Sequence, residues 1–319
     1  MKNLLLAATA AVAAVAITPV AEAATSKRVI FESHGNRIVG DLYLPDDYKA
    51  GDKLPAIVVS GAWTSVKEQM AGRYAAEMAD RGYAALAFDF TGWGQSEGAV
   101  RQLESPAIKT ADIVAAAAFL ATQPEVDNTR IGALGVCASA GYAVGAAAQS
   151  PFIKSVALVA PWLHDRTIIN TVYGGTEGVA KLIAVGRDAT SSSVSKMILA
   201  ASTSDNSALM FQAPYYTETD RGLIPEYDNL FNLASWEPWL TYDAQAIAPQ
   251  MTKPFAMVHS EAAAIPQGAR QFYAQLKGNK SQLWLDNISQ FDFYDRTSPV
   301  KAASDFVATH FSNTLKKGA

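Results

Sequence analysis

The sequence is short of the residues that usually announce a bound metal, a disulfide or a polyanionic partner. It holds one cysteine, four scattered histidines and a formal net charge of −4. A single cysteine excludes an internal disulfide and a paired-cysteine zinc site. No H-E-x-x-H occurs, so the histidines offer no recognisable metal spacing, and no cofactor is expected. No basic stripe or basic amphipathic helix is present, so neither nucleic acid nor a membrane surface is an expected partner. Internal repeats, low-complexity tracts and long linkers are also missing.

What is present is apolar. Half of the 319 residues are hydrophobic, enough for a sizeable core. The first 23 residues read as an export signal: Lys2 opens it, residues 4–20 are apolar and alanine-rich, and Ala21-Glu22-Ala23 offers small residues for cleavage. A membrane anchor is the weaker alternative, because alanine rather than leucine dominates and the cleavage motif follows directly. The expected address is the periplasm or the cell exterior. About 295 residues then remain, one large domain or a domain with an insertion.

Short apolar runs alternate with helical patterns along this part. Residues 27–33 and 37–44 read as a hairpin around His34-Gly35-Asn36. The runs AIVVS, AALAFDF, RIGALGV, SVALVA, FAMVHS and SQLWLD read as further strands. Helical patterns cover 67–81, 107–121, 140–149, 267–276 and 300–312. The alternation predicts an α/β fold with a mostly parallel eight-stranded sheet, helices on both faces and an antiparallel first edge. Chemistry is then expected at the carboxyl ends of the strands, in the loops after Ser60, Phe90, Val136, Ala160, Ser260 and Asn287. Residues 161–253 interrupt the pattern and are rich in large aromatics, among them Trp162, Tyr173, Tyr216 and Trp239. They are read as a helical lid inserted between core segments 24–160 and 254–319. The alternative is a packing extension without ligand contact.

The strongest local signal is RIGALGVCASAGYAVGAA. A strand that ends in a small residue, a nucleophile two positions on and a second small residue before a helix forms a nucleophile elbow. The motif fits twice. Cys137 is flanked by Gly135 and Ser139, and Ser139 by Cys137 and Gly141. An ordinary strand ending at Val136 favours Cys137. There the helix N-terminus is expected to lower the thiol pKa.

Several segments carry a family resemblance. FDFTGWGQSEG (88–98) resembles the strand-four segment of α/β-hydrolases, VVSGAWTS (58–65) the loop that supplies an oxyanion amide, AMVHSEAAAIP (256–266) the strand end that bears the acid, and ISQFDFYD (288–295) the one that bears the histidine. The Gly-x-Cys elbow is similar to that of dienelactone hydrolases. The whole layout resembles bacterial hydrolases related to Xaa-Pro dipeptidyl-peptidases. The resemblance implies the α/β-hydrolase fold, with oxyanion amides from Ala62 or Trp63 and from Ala138. Gly92 and Gly94 do not form a dinucleotide fingerprint, because Glu97 stands where a third glycine is required.

Two positions depart from the pattern. The expected histidine is Gln290, and the expected acid falls at Ala263, with Glu261 the nearest carboxylate. A glutamine neither accepts nor releases a proton at neutral pH. His164 with Asp165 or Glu261 is the best substitute pair, and His259 the second choice of base. His34 and His310 read as structural, while Asp292 and Asp295 read as braces of the strand-eight loop. The sequence therefore supports a secreted hydrolase or acyl transferase that acts on an ester, thioester or amide of a fairly apolar small molecule through Cys137 or Ser139. The rival is a ligand-binding protein on a hydrolase scaffold that has lost catalysis.

Overall fold

The computed structural model describes residues 25–316. The expected export signal, residues 1–23, lies outside them. Eight strands form one sheet: β1 (Ser26–Ser33), β2 (Asn36–Tyr43), β3 (Leu54–Ser60), β4 (Ala84–Phe88), β5 (Val126–Val136), β6 (Ile153–Val159), β7 (Phe255–Ser260) and β8 (Lys280–Leu285). Their order across the sheet is β1-β2-β4-β3-β5-β6-β7-β8. The pairs β1–β2 and β2–β4 are antiparallel and the rest parallel. Strands β4 and β5 and their neighbours are apolar on both faces and almost wholly buried where they pair, as a sheet covered on both sides requires.

The covering helices are α1 (Gly72–Ala79), α2 (Pro106–Thr122), α3 (Ser139–Gln149), α4 (Arg166–Val172), α5 (Gly175–Ser191), α6 (Trp236–Thr241), α7 (Pro266–Gln275) and α8 (Thr297–Thr314). Helices α2 and α3 pack together, as do α1 and α8. Under α3, Glu104 accepts from Lys109 Nζ and from the Tyr142 hydroxyl, both at 2.7 Å. This buried pair locks α2 to α3. The helix expected over 67–81 is broken. Lys67–Ala71 form a wide π turn with Gln69 out of helical geometry before α1 begins. Asp89 explains the break, since its carboxylate accepts from Lys67 N at 2.8 Å and Lys67 Nζ at 2.9 Å. The aspartate of the FDFTGWGQSEG motif thus ties the end of β4 to the loop after β3.

Register brings the strand ends level. Ser60 lies opposite Gly135, Val136 opposite Val159, and Val159 opposite Val258. Five residues with positive φ follow these ends: Thr64, Cys137, Ala160, Ile265 and Asn287, at 59°, 58°, 44°, 41° and 56°. Left-handed backbone at non-glycine residues costs roughly 1–3 kcal/mol each and gathers at functional sites. Here it gathers on the carboxyl edge, after β3, β5, β6, β7 and β8.

Candidate active site

Cys137 is the apex of the elbow. Its φ of 58° marks the strained turn between β5 and α3. Gly135 is required two residues earlier, because a Cβ there would lie 2.7 Å from the Ser139 carbonyl oxygen. Ser139 sits in the first turn of α3, fully buried, and donates its hydroxyl to the Gly61 carbonyl. That bond fastens the elbow to the end of β3 and takes the serine away from the cavity.

The Cys137 sulfur faces the backbone amides of Trp63 and Ala138, the Tyr294 hydroxyl and the Gln290 side-chain amide. Each of these favours a thiolate. Burial outweighs them and pushes the thiol above its ordinary value. The expected lowering by the helix N-terminus is therefore overturned: the Ala138 amide acts in that direction, but loss of solvent is the larger effect. Of the two candidates for the first oxyanion amide, Trp63 supplies the one that faces sulfur. The Ala62 amide is directed at the Met70 sulfur, 3.4 Å away.

Gln290 occupies the position where a histidine was expected, and its amide is fully engaged. Its Oε1 accepts from Ala264 N at 3.0 Å, and its Nε2 donates to Ala160 O at 2.9 Å and to the Tyr294 hydroxyl at 3.1 Å. It therefore joins the loops after β6, β7 and β8. Ala263 is buried in the turn after β7, its amide donating to the Ser260 carbonyl. Asp292 accepts from the backbone and hydroxyl of Ser289, and Asp295 pairs with Arg221 at 2.6 Å, so both brace this loop.

The substitute base pair is not assembled. His164 is fully buried, with Nδ1 accepting from the Trp162 indole N–H at 3.0 Å and its ring edge-on to Trp239. Burial depresses its pKa to about 4. Asp165 caps α4 and accepts from Gln271 instead of from His164. Glu261 is exposed and paired with Arg270, whose guanidinium lies over Trp284. His259 is fully buried against Trp284, again with a pKa near 4 because of burial. Among the described residues, no histidine or carboxylate hydrogen-bonds to the Cys137 sulfur.

Sequence reasoning missed Tyr294, the protic side chain that does face the sulfur. The only available signal was its position four residues after Gln290, within the short helical turn Asp292–Asp295 that follows that residue. Its hydroxyl is buried, and its pKa is pushed well above the ordinary phenol value by burial and by Cys137. It is a proton donor at neutral pH.

A cavity of about 690 Å³ opens over Cys137. The loops after the strands contribute Trp63, Ala138, Ala263, Gln290, Phe291 and Tyr294, while residues 161–253 contribute Trp162, Val172, Tyr173, Met210, Tyr216 and Trp239. Trp63 and Trp239 stack, ring centroids 4.9 Å apart. Among the described residues no group of three or more histidine, cysteine, aspartate or glutamate side chains is placed to hold a metal. No helix among them is long and apolar enough to cross a membrane.

Strand order, elbow and oxyanion-type amides together define an α/β-hydrolase fold whose elbow carries cysteine. The family can be stated more closely: residues 34–290 match the X-Pro dipeptidyl-peptidase (S15) family, and the chain belongs to it. It is similar to the uncharacterized protein YcjY of Escherichia coli K12, 32% identical over 286 residues, 86% of this chain and 93% of the relative. It is also similar to the uncharacterized protein PA2218 of Pseudomonas aeruginosa, 31% identical over 306 residues, 87% of this chain and 78% of that one. A crystal structure of PA2218 superimposes with a TM-score of 0.80 and 28% identity, covering 93% of this chain and 96% of that one. A shorter match, 32% identical over 130 residues, links 41% of the chain to 39% of the thiohydrolase aneE of Aspergillus aculeatus. Family and fold class the chain as a hydrolase.

Proposed function

We propose that this hydrolase takes an apolar acyl group from an ester or thioester onto Cys137 and releases it slowly. The observation that carries the reading is the surroundings of the Cys137 sulfur: two backbone amides, the Tyr294 phenol and the Gln290 carboxamide, at the apex of a strained elbow. In the first step sulfur attacks the carbonyl carbon, and the Trp63 and Ala138 amides receive the oxyanion. The intermediate collapses with loss of the alkoxide or thiolate. Tyr294 accepts the thiol proton as it passes its own hydroxyl proton to that leaving group. The products are an acyl-Cys137 thioester and the free alcohol or thiol. Water then adds to the thioester, giving the acid and restoring the thiol.

With a buried thiol and no histidine base, the first step favours good leaving groups, and thioesters supply them. The partial match to a thiohydrolase supports the same choice. Acyl transfer to a thiol or amine in place of water is the corresponding transferase reaction. Residues 161–253 are proposed to act as a lid, since they furnish one wall of the cavity. Lys2, the apolar run and Ala21-Glu22-Ala23 support export. Mass measurement of the exported protein should find Ala24 as its first residue, whereas an intact N-terminus would contradict export by this signal.

The rival reading, a binding protein without turnover, rests on Gln290 standing in the position of the base. One experiment separates the two. Incubation with the N-acetylcysteamine thioester of 3-phenylpropanoic acid should add one acyl mass to the intact protein and none to Cys137→Ala. No adduct and no hydrolysis, with the thioester still bound, would establish the binding protein instead.

A further inference from the structure

The cavity walls are aromatic, and their polar atoms are mostly engaged inside the protein. Trp162 Nε1 donates to His164 Nδ1 at 3.0 Å, Trp239 Nε1 to the Tyr173 hydroxyl at 3.0 Å, and the Tyr216 hydroxyl to the Trp63 carbonyl at 3.2 Å. Trp63 Nε1 lacks a partner but is itself buried. The rings therefore offer mostly carbon surface to an occupant, while the Trp63 and Ala138 amides and the Tyr294 hydroxyl lie beside the Cys137 sulfur. No aspartate, glutamate, lysine, arginine or histidine lines the cavity among the described residues.

An enzyme that removes dipeptides from a peptide N-terminus must hold a protonated amine close to the scissile carbonyl. A buried ammonium needs a carboxylate or several acceptors to offset its lost hydration. This cavity offers aromatic carbon instead. Aromatic pairs favour stacked or edge-on contact, worth roughly 0.5–1.5 kcal/mol beyond the area they bury. Trp63 and Trp239 already stack on one another, and Trp162 lies 6.3 Å from Trp239.

We infer that the cavity selects an uncharged acyl group with a flat aromatic body and rejects peptides with a free amino terminus, and that His164 is the positioning residue of the aromatic wall. His164 holds Trp162 by an acceptor nitrogen and stands edge-on to Trp239, with centroids 4.6 Å apart. The role requires a neutral ring, and burial keeps it neutral. This inference rests on the reading of Cys137 as acyl acceptor, but selection by the cavity can also be measured without that chemistry.

Two N-acetylcysteamine thioesters of similar intrinsic reactivity, 3-phenylpropanoyl and hexanoyl, would be compared by the rate of acylation of the intact protein, and alanyl-prolyl-glycinamide would be added as a competitor of that labelling. The phenylpropanoyl group should label at least about tenfold faster than hexanoyl, and the peptide with its free amino terminus should not slow the labelling at millimolar concentration. Equal rates for phenylpropanoyl and hexanoyl, or competitive protection by the peptide, would overturn the inference. His164→Leu should erase the aromatic preference through a rise in the half-saturating concentration with little change in maximal rate. His164→Asn, which retains an acceptor, should keep much of the preference. Equal behaviour of the two variants would remove His164 from the role. Binding of 3-phenylpropanamide and hexanamide to Cys137→Ala, followed by tryptophan fluorescence, reads the cavity alone. Tighter binding of the aromatic amide upholds the selectivity even if no thioester labels the wild type, in which case only the acyl-acceptor reading falls. Equal binding overturns the selectivity.

Discussion

Gln290 Nε2 donates to the Tyr294 hydroxyl at 3.1 Å, and that hydroxyl faces the Cys137 sulfur. An amide in the place of a histidine orients a phenol but cannot itself take a proton. Tyr294→Phe removes the proton donor and leaves the ring. Acylation of Cys137 should slow by roughly a hundredfold or more, within the range of general acid–base contributions. Stability should fall by only about 1 kcal/mol, the worth of a typical hydrogen bond. Stopped-flow release of the thiol product and chemical denaturation measure the two effects. An unchanged acylation rate would remove Tyr294 from the chemistry.

Gln290→His restores a titratable group beside Tyr294. Hydrolysis of the acyl-thioester should accelerate at least tenfold. The fold should lose roughly 1–3 kcal/mol, because the bonds to Ala264 N and Ala160 O are not both replaced. The decay of the acyl adduct by intact mass gives the rate. A decay as slow as in the wild type would mean that the missing base is not what limits release.

The buried pair Lys67–Asp89, 2.9 Å apart, fixes the loop that carries the Trp63 amide. Lys67→Met should destabilise the protein by about 3–5 kcal/mol, the cost of leaving a buried charge without its partner. It should also slow acylation relative to ligand binding, since the oxyanion amide loses its anchor. Denaturant melts and binding of 3-phenylpropanamide separate these effects, and a stability loss below about 1 kcal/mol would contradict the buried-pair reading.

Mild acid should weaken the fold through its buried histidines. His164, His259 and His310 are each depressed from 6.5 to about 4 by burial. Between those values the unfolded chain binds more protons than the folded one, so stability is full above pH 6.5 and is lost as pH falls towards 4. The loss at pH 4.5 is on the order of 2 kcal/mol per histidine. Denaturant melts from pH 7 to 4.5 should show it, and His259→Phe should flatten the slope. A flat profile would mean that these rings accept protons without opening.

The sheet was legible because its inner strands are short apolar runs bounded by glycine, proline or polar residues, and its first two strands flank the His34-Gly35-Asn36 turn. The elbow was legible because close packing demands Gly135. Strand length already favoured Cys137 as the apex over Ser139, and in the backbone Cys137 takes the positive φ while Ser139 turns to the Gly61 carbonyl. The insertion was legible as an interruption but not in its pairing. Its strand Met197–Leu199 meets Leu230–Asn232 across a long separation, with three residues on each side. Such pairs carry no periodicity of their own. Tyr294 was illegible for a related reason, since one turn of helix has no repeat to display and two aspartates around it drew attention first. His164 and His259 looked available as bases because a sequence does not reveal burial.

The central claim is that Cys137 accepts an acyl group that no base then helps to release. Rapid mixing with excess 3-phenylpropanoyl-N-acetylcysteamine measures it directly. The account predicts a burst of free thiol close to one equivalent per protein, a slow steady rate afterwards, and an acyl group on the peptide that contains Cys137. Linear turnover without a burst, persisting in Cys137→Ala, would contradict it.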